Sequence, residues 1–530
     1  MSAFRTALGA AQKRVDPKGR RWLFVPYDQL TDQVGPLARE DPRELGIVVV
    51  ECPAKAERRP YHQQKLALVL TNLRHFALEQ AARGVAVRHE VADSYAAALT
   101  KVLPATGALR VARPAERELR VDLEPLVAQQ QLEVIPHEGW LTTTEDFTES
   151  QGEPPWRMDA FYRHVRRRLD ILMVRGKPEG GKLSFDAENR KRWSGSPPAP
   201  TPPDYRVDDV TREVCDLVRE RFATHPGRLQ PDQLPATSGD AERLWSFARS
   251  ACLESFGPFE DAMSTESRTL FHTRISPLLN NLRLLAPRIV AEVASMKALP
   301  IASREGFVRQ ILGWREYVRH VHDATDGFRT IRGEPQPTNA EGSSISSFLG
   351  TCGALPPAYW DKPSGLRCLD EVVRAVWEDG YSHHITRLMV LSNIALLLDV
   401  APRELTDWFW TAYLDAYDWV VEPNVHGMGT FGVGELMTTK PYVAGSAYIH
   451  KMSDFCEGCR FDPKTTCPLP ALYWAFLGRH REALGGVNRM RLPIAAEAKR
   501  SPSQKKEDAA TFERTSRALA AGEELTGKLG

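Results

Sequence analysis

Three cysteines lie within twelve positions near the C-terminal end of the chain. Cys456 and Cys459 form a C-x2-C pair, and Cys467 is followed by Pro468 where a helix is predicted to begin. A C-x2-C pair can place two thiolates on one metal centre, and a cysteine followed by proline often supplies the last ligand of an iron–sulfur site. The spacing therefore predicts a four-ligand metal site with three of its ligands in this segment.

Spacing does not identify the fourth ligand. Cys352 or Cys368 would complete an all-cysteine site, whereas His426 or His450 would make a zinc site of three cysteines and one histidine. The pattern is compatible with zinc and with an iron–sulfur cluster. A coincidental grouping of three thiols is the remaining alternative.

A predicted helix N-terminus in LFHTRISPLLNN is a second candidate site. Ser276 followed by Pro277 has the composition of an N-cap and a first helical position. Free backbone N–H groups and the helix dipole favour an anion there, so Thr273, Arg274 and Ser276 could bind a phosphate. An ordinary helix cap is the simpler interpretation of the same residues.

Adjacent histidines, His383 and His384, begin another predicted helix. His384 shares a helix face with Arg387 or Leu388 and could therefore face a ligand cavity. An imidazole is the usual proton donor or acceptor near neutral pH. A packing role in the core is the alternative for both histidines.

Two further groups of residues could take part in binding or electron transfer. The first is a set of carboxylates and one amide around a break in helical periodicity: Asp415, Asp418, Glu422 and Asn424. Such groups bind ribose hydroxyls or ring nitrogens, but they also form ordinary loops. The chain also has twelve tryptophans, and several of them lie in its helical half, among them Trp314, Trp360, Trp377, Trp408, Trp410, Trp419 and Trp474. Most are expected in the core. Closely spaced rings could also carry electrons.

Composition limits the class of protein. Lys plus Arg is 69 and Asp plus Glu is 68, so a uniformly basic nucleic-acid binder is excluded while a locally basic face is not. The N-terminus lacks the apolar core of a signal peptide, and no apolar run is long enough to span a membrane. We therefore expect a soluble cytoplasmic protein. In a reducing compartment its eight cysteines favour metal binding over disulfides.

The secondary-structure elements that must position these residues are predicted to form two domains of different fold class. Residues 20–140 alternate β-branched runs with helical ones, which predicts an α/β domain with a Rossmann-like parallel sheet. Polar residues at its strand ends, including Asp28, Gln29 and Glu51, lie where such a sheet forms a ligand crevice. Residues 141–240 read as a connector with a basic helix and a long loop. Residues 241–498 predict an all-α domain, and residues 499–530 a mobile charged tail.

Taken together, these segments resemble the photolyase/cryptochrome superfamily, in particular its bacterial iron–sulfur branch of (6-4) photolyases and related cryptochromes. The matching segments occur in family order between about residues 21 and 495: DQL, YHQQKLALVLTNLRHFA, MDAFYRHVRRR, GGKLSFDAENRKRW, GPFEDAMSTESRTLFHTRISPLLNNLRLL, GWREYVR, the CG at 352–353, YSHHITRLMVLSN, DAYDWVVEPNVHGMGTF and CEGC…CP.

The resemblance implies three cofactors. It implies FAD in the helical domain, near Thr273, Arg274, Ser276, Trp314, Arg315, Arg387, Asn393, Asp415, Asp418, Glu422 and Asn424. It implies a [4Fe-4S] cluster on Cys352, Cys456, Cys459 and Cys467, with Cys368 an ordinary buried thiol. It also implies a 6,7-dimethyl-8-ribityllumazine antenna in the α/β domain, near Asp28, Gln29, Leu30 and Glu51.

The implied activity is light-driven repair of pyrimidine (6-4) pyrimidone lesions in UV-damaged DNA, by a monomer with no membrane partner. His384 would donate the proton, with His383 beside it and Tyr442 placing the lesion. The resemblance further implies that Trp408 and Trp360 form an electron path to the surface. Residues 163–168, with Arg166 and Arg167, and residues 180–193 would bind the DNA backbone.

Two other functions fit the same sequence. A blue-light photoreceptor of the cryptochrome type would keep FAD and the cluster without repairing DNA. A structural iron–sulfur module that binds nucleic acid, like the large subunit of primase, would carry only a vestigial flavin site.

Overall fold

The computed structural model describes residues 2–527. Its N-terminal domain contains a five-stranded parallel sheet with the strand order β3-β2-β1-β4-β5. The strands are β1 (Arg21–Phe24), β2 (Leu45–Glu51), β3 (Ala86–Val91), β4 (Leu109–Ala112) and β5 (Leu132–Ile135). All seven residues of β2 are buried, as expected for a strand covered by helices on both faces. The predicted α/β domain with a parallel sheet is confirmed.

Six helices surround this sheet: α1 (Ala3–Gln12), α2 (Pro36–Arg39), α3 (Pro53–Arg58), α4 (Gln63–Ala82), α5 (Tyr95–Thr106) and α6 (Arg117–Ala128). The strand order reverses between β1 and β4, and the side chain of Gln29 donates a hydrogen bond to the carbonyl oxygen of Ala112 there, at 2.9 Å. Ligands of open α/β sheets bind at such a reversal or beside it.

A connecting region carries α7 (Thr144–Gln151), α8 (Met158–Arg168), a short hairpin of β6 (Met173–Val174) and β7 (Lys177–Pro178), and α9 (Asp209–Arg221). Helix α8 contains the basic segment that was predicted to bind DNA, and one of its arginines, Arg166, is placed differently from that prediction. Arg166 is fully buried and donates hydrogen bonds to the carbonyl oxygens of Ile171, Leu172 and Leu183. The prediction that Arg166 contacts DNA is wrong, because its guanidinium holds the following loop. Arg167 is exposed.

The rest of the chain is largely helical, as predicted. Its helices are α10 (Ser238–Phe247), α11 (Leu253–Phe256), α12 (Ser276–Asn280), α13 (Ala286–Ser295), α14 (Ile301–Val308), α15 (Glu316–Ala324), α16 (Arg367–Asp379), α17 (Asn393–Leu397), α18 (Pro402–Ala412), α19 (Asp418–Val421), α20 (Ser446–Met452), α21 (Leu469–Arg479), α22 (Arg481–Leu484), α23 (Arg491–Ala498) and α24 (Pro502–Ala520). A second hairpin pairs β8 (Thr330–Ile331) with β9 (Glu334–Pro335).

Four segments of this domain are wound as wider π-helical turns: Ala248–Cys252, Arg309–Arg315, Thr386–Ser392 and Glu422–Gly429. Such turns are rare and occur frequently at functional sites. The last three contribute side chains to the same cavity, which is described below.

The C-terminal segment was expected to be a mobile tail, but residues 502–520 form the helix α24. A capping box at Ser501 and Gln504 starts the helix. Thr515 and Leu519 are buried, and the ring centroid of Phe512 lies 3.4 Å from the guanidinium of Arg479 on α21. The buried side chains of α24 lie at helical spacing on one narrow face, which is easily missed in a charged segment.

Within residues 2–527, none of the helices combines the length and the apolar character needed to cross a bilayer.

Candidate functional site

The helical domain encloses a cavity of about 280 Å³, here called the central cavity. Most of the residues proposed to bind a cofactor or to act in catalysis line it: Thr273, Arg274, Ser276, Trp314, Arg315, His383, His384, Arg387, Asp415 and Asn424. Other lining residues had not been assigned a role from the sequence, among them His272, Asn280, Gln310, Tyr381 and Trp419.

An ion pair forms one wall of the central cavity. Both terminal nitrogens of Arg387 donate to the carboxylate of Asp415 at 3.0 Å, and the hydroxyl of Ser276 donates to the same carboxylate at 2.6 Å. Burial would raise the pKa of Asp415, but Arg387 outweighs it and lowers that pKa. Ser276 is the first residue of α12 and uses its hydroxyl on Asp415, so it does not cap its own helix.

Two further arginines give the cavity a positive wall. Arg315 donates to the side-chain oxygen of Asn280 at 3.2 Å and is paired with Glu316, and burial lowers its pKa to about 10. Arg274 lies 5.5 Å from the ring centroid of Tyr381, and no carboxylate pairs with it among the described residues. A site with one arginine lacking a counterion favours an anionic ligand group such as phosphate.

Three imidazoles meet at another wall. His272 and His383 stack with ring centroids 4.3 Å apart, and His384 meets His272 edge to face at 5.5 Å. Burial lowers the pKa of His383 to about 3 and that of His272 well below its usual value, so both rings are neutral near pH 7. Nε2 of His272 and Nδ1 of His383 are buried and have no hydrogen-bond partner within residues 2–527. Buried polar atoms of this kind require a ligand or water.

His384 lies at a more open position and faces a carboxylate. Its side chain is 38% exposed, and Nε2 lies 3.9 Å from Oδ1 of Asp261. The hydroxyl of Tyr448 donates to Asp261 at 2.8 Å, and Arg190 lies 3.5 Å away. Although burial would raise the pKa of Asp261, interaction with His384, supported by Tyr448 and Arg190, lowers it. Asp261 therefore stays ionised near neutral pH and presents its charge to the ring of His384.

Asp261 was not identified from the sequence. It is one aspartate in GPFEDAMS with no spacing relationship to the histidines, and it approaches His384 only because the chain folds back over more than a hundred residues. His272 was missed for the same reason, although it immediately precedes the predicted phosphate contact Thr273.

Three predicted cofactor contacts lie outside the central cavity. Asn393 makes two hydrogen bonds to the backbone of Ala444, as donor at 3.0 Å and as acceptor at 2.8 Å. Asp418 accepts hydrogen bonds from the backbone N–H groups of Arg117 and Glu118 at 2.6 and 3.1 Å, and so caps α6 of the α/β domain. The resemblance implies that Asn393 and Asp418 contact FAD, whereas the hydrogen bonds of both side chains are made to the protein backbone.

Glu422 is the third of these residues. It accepts hydrogen bonds from Arg403 at 3.0 Å and Arg329 at 3.2 Å, and lies 3.1 Å from Nε2 of His322. Burial would raise the pKa of Glu422, but the bond to His322 and the charge of Arg403 lower it. The carboxylate is thus fully occupied in a buried ion cluster. Tyr442 is also not among the residues that line the cavity.

A second cavity of about 220 Å³, here called the strand-end cavity, lies against the α/β domain. Aromatic side chains dominate its wall: Tyr27, Tyr61, Tyr95, Phe222, Trp410 and Tyr417. Its polar lining groups are mostly paired. Glu51 bonds to Arg74 at 2.7 and 3.0 Å, Lys55 to Glu116 at 2.6 Å, and Lys65 to the carbonyl oxygens of Trp410 and Ala416 at 2.8 and 2.7 Å.

Of the four predicted antenna contacts, only Glu51 lines the strand-end cavity. Gln29 is bonded to Ala112, and the backbone N–H of Leu30 donates to Asn281. Asp28 is buried, and burial raises its pKa to about 7. Asp28, Gln29 and Leu30 lie at the end of β1, whereas the cavity opens beside the end of β2.

The cysteine site differs from the predicted ligand set. Cys368 lies at the start of α16 and lines one small cavity together with Cys456, Cys459 and Cys467. Cys352 is exposed and lies outside it, so the assignment of Cys352 as the fourth ligand and of Cys368 as an ordinary thiol is wrong. Neither His426 nor His450 lines this cavity. An all-sulfur donor set suits an iron–sulfur cluster or a zinc ion held by four thiolates.

The two tryptophans of the predicted electron path have different environments. Trp408 is buried, and its ring centroid lies 5.2 Å from that of Phe409, a residue of the central cavity. Trp360 ends a short turn at Pro357–Trp360 and is exposed.

Comparison with known proteins agrees with this architecture. A family model described as deoxyribodipyrimidine photo-lyase-related protein matches residues 23–234. The (6-4) photolyase of Agrobacterium fabrum is 33% identical over 499 residues, which cover 90% of this chain and 96% of that protein. An uncharacterized protein of Acanthamoeba polyphaga mimivirus is 42% identical over 66 residues, which cover 12% of this chain and 54% of the relative.

The fold also matches a solved structure. A bacterial class III photolyase from Agrobacterium tumefaciens aligns with a TM-score of 0.58 over 95% of this chain and 98% of that one, at 13% identity. This likeness supports the fold, and the full-length sequence relative supports the family. The chain belongs to the deoxyribodipyrimidine photolyase-related family.

Proposed function

We propose that this protein is a DNA photolyase that repairs pyrimidine (6-4) pyrimidone lesions with light. The observation that carries the proposal is the pairing of His384 with the ionised Asp261 beside a cavity whose wall holds Arg274, which has no carboxylate partner in the described part of the chain. The full-length relative that is itself named a (6-4) photolyase supports it.

FAD is the proposed ligand of the central cavity, and the residues present fit it. Arg274 and Arg315 offer cationic groups to a diphosphate, and Nε2 of His272 and Nδ1 of His383 are buried hydrogen-bonding atoms that lack partners among the described residues. Asp415, Asn424 and Trp314 line the same space. When bound, reduced FAD excited by light supplies an electron to the lesion, which is chemistry of the cofactor and not of the protein.

His384 is the proposed proton donor. The carboxylate of Asp261 faces Nε2 of His384, and Tyr448 and Arg190 hold Asp261 in place. His383 is buried and neutral, so its part is to pack against His272 and hold the wall. Leu388 also lines the cavity and cannot transfer protons, which leaves His384 as the proton-transfer group at the cavity mouth.

DNA is the proposed substrate. A damaged base must leave the helix to reach such a cavity, at a cost of a few kcal/mol that is lowest for poorly paired bases. The exposed basic residues Arg163, Arg167 and Lys191 are the proposed backbone contacts. Arg190 and Arg192 of the predicted DNA segment are instead paired with Asp186 and Glu457, so their contribution is expected to be smaller.

A [4Fe-4S] cluster is proposed on Cys368, Cys456, Cys459 and Cys467. Cys368→Ser should remove the iron and lower stability, because metal binding contributes folding free energy. Cys352→Ser is the matched control and should retain four irons per chain. Zinc without iron in anaerobically prepared protein, or iron lost from the Cys352 variant only, would contradict the assignment.

A 6,7-dimethyl-8-ribityllumazine antenna is proposed in the strand-end cavity. Stacked aromatic walls suit a planar chromophore, and the charged groups of the cavity, Glu51 and Lys55, are already paired with Arg74 and Glu116.

The decisive experiment is repair of a defined oligonucleotide that carries one (6-4) lesion, under blue light, with a cyclobutane dimer oligonucleotide as the control. The proposal predicts light-dependent loss of the (6-4) lesion only. Flavin binding without repair of either lesion would instead support a photoreceptor. A protein without flavin absorbance would leave only the structural nucleic-acid module.

A further inference from the structure

Two neighbouring residues of the segment 180–193, here called the DNA segment, bind two neighbouring acidic residues beside the central cavity. Nδ2 of Asn189 donates a hydrogen bond to Oε2 of Glu260 at 2.7 Å. Nε of Arg190 lies 3.5 Å from Oδ2 of Asp261, the carboxylate that faces the proposed proton donor. The segment proposed to contact DNA is therefore in direct contact with the group beside that proton donor.

The hydrogen bond between Asn189 and Glu260 is buried, and the backbone leaves room for it. The two residues are 1% and 2% exposed. A Cβ atom added at Gly306 would lie 2.8 Å from Nδ2 of Asn189 and 2.9 Å from Oε2 of Glu260, so any side chain at position 306 would push the pair apart. Breaking such a bond is costly, because both polar groups would stay away from water without a partner.

Glu260 also holds the wall of the central cavity. Its other carboxylate oxygen, Oε1, accepts a hydrogen bond from Nε2 of Gln310 at 2.6 Å, and Gln310 lines that cavity. The backbone N–H of Lys191 donates to the carbonyl oxygen of Pro258 at 3.0 Å. The DNA segment is thus fixed at three successive residues to the turn that carries both acidic side chains.

We propose that Asn189 and Glu260 are positioning residues, whose hydrogen bond holds the DNA segment against Asp261. Asp261 thereby keeps facing His384 when DNA binds. A phosphate that binds the exposed side chain of Lys191 pulls on the backbone two residues from Asn189. The buried hydrogen bond resists this movement, and a small displacement of a catalytic group is enough to lower a rate. The inference rests on the proposed repair of DNA.

An exchange of donor and acceptor tests the bond. Asn189→Asp places two carboxylates face to face, whereas in the double variant with Glu260→Gln the new amide donates to the aspartate and still accepts from Gln310. In protein without DNA, trypsin should cleave after the exposed residues Arg190 and Lys191 about tenfold faster in the single variant. The double variant should return to the wild-type cleavage rate. Equal cleavage in the wild type and the single variant, or equal acceleration in both variants, would overturn the inference.

Repair at saturating DNA separates positioning from a role in DNA contact alone. Asn189→Asp should lower the repair rate of a saturating (6-4) oligonucleotide by roughly fivefold, the loss expected for Asp261→Asn. In an Asp261→Asn background the same substitution should cause no further loss, because Asn189 acts through Asp261. Weaker DNA binding with an unchanged rate at saturation, or losses that add in the combined variant, would overturn the inference.

Asn339→Asp is the matched control. Asn339 also donates its side-chain amide to a glutamate, Glu341 at 3.3 Å, but this hydrogen bond is exposed and lies outside both cavities. Its cleavage and repair rates should equal those of the wild type. A wild type that repairs no (6-4) lesion would overturn the proposed function together with the positioning role. Normal repair by both the wild type and the Asn189 variant would overturn the positioning role alone.

Discussion

The two large cavities of this protein are built on different principles. The strand-end cavity is lined mainly by aromatic rings, and its charged groups are paired: Glu51 with Arg74, and Lys55 with Glu116. The central cavity contains Arg274 without a carboxylate partner among the described residues and two buried imidazole nitrogens without a partner there. The strand-end cavity pairs its own charged groups, whereas the central cavity leaves several polar groups without a partner.

This difference suits the strand-end cavity to binding a molecule and the central cavity to reacting with one. A cavity with satisfied polar groups binds by shape and stacking, and its occupant need not change charge. Unpartnered polar groups cost folding free energy, about 1–3 kcal/mol each, and a ligand that satisfies them recovers that energy. Three of the four wide π-helical turns contribute side chains to the central cavity, and none lies in the described α/β domain, which is consistent with a backbone shaped for function there.

The largest effect is expected from His384→Ala. Loss of a positioned proton donor typically lowers a rate by about 10²–10⁴-fold, so repair of the (6-4) lesion should fall in this range while flavin absorbance is retained. His164→Ala is the matched control, since His164 also lies near a carboxylate, 3.8 Å from Asp146, but is outside both cavities. If the His384 variant repaired the lesion at the wild-type rate, another group would have to donate the proton.

Removing one partner of the Arg387–Asp415 ion pair should impair the protein nearly as much as the His384 substitution. Arg387→Met leaves the buried carboxylate of Asp415 without its ion-pair partner and with only the hydroxyl of Ser276, at a cost of about 3–5 kcal/mol, and should release flavin. The double variant Arg387→Met with Asp415→Asn should recover most of the thermal stability but not flavin binding. Thermal unfolding and flavin absorbance measure the two effects separately. If both variants retain flavin, the ion pair is structural only, and the contrast between the cavities is weakened.

Asp261→Asn should have a smaller effect, one that depends on pH. The variant lacks the carboxylate that faces Nε2 of His384 at 3.9 Å, so at neutral pH the repair rate should fall by roughly fivefold, or about 1 kcal/mol, as is typical of a partly exposed pair. Although burial would raise the pKa of Asp261, interaction with His384 lowers it, so this carboxylate is charged near neutral pH and loses its charge as the pH falls through that pKa. The difference in repair rate between wild type and variant should therefore disappear in acid. A difference that stays the same at every pH would indicate a packing role for Asp261.

The smallest effect is expected from filling the strand-end cavity. Ala56 lines this cavity and is buried, so Ala56→Phe should exclude an antenna chromophore. Repair driven by light that FAD absorbs directly should be unchanged, while repair at wavelengths absorbed by the antenna should fall. Ala97→Phe on the outer face of α5 is the control. A comparable loss of direct repair in the Ala56 variant would show that the two cavities are coupled.

The sequence by itself determined the elements and much of the central cavity. Alternating β-branched and helical segments predicted the parallel sheet, and helical periodicity predicted the second domain, because both patterns are local. Thr273, Arg274, Ser276, His384 and Arg387 were selected from short motifs, and their side chains line one cavity. Short-range spacing also grouped Cys456, Cys459 and Cys467.

Only the tertiary structure decided which distant residues join these motifs. Cys368 completes the cysteine site in place of Cys352, because α16 begins beside the loop that carries the other three cysteines. Asp261 reaches His384 across more than a hundred residues of chain. Asp418 and Glu422 have the residue types of cofactor contacts but are used to cap α6 and to hold a buried ion cluster. Residue type limits what a side chain can do, and its neighbours in space decide which of those roles it performs.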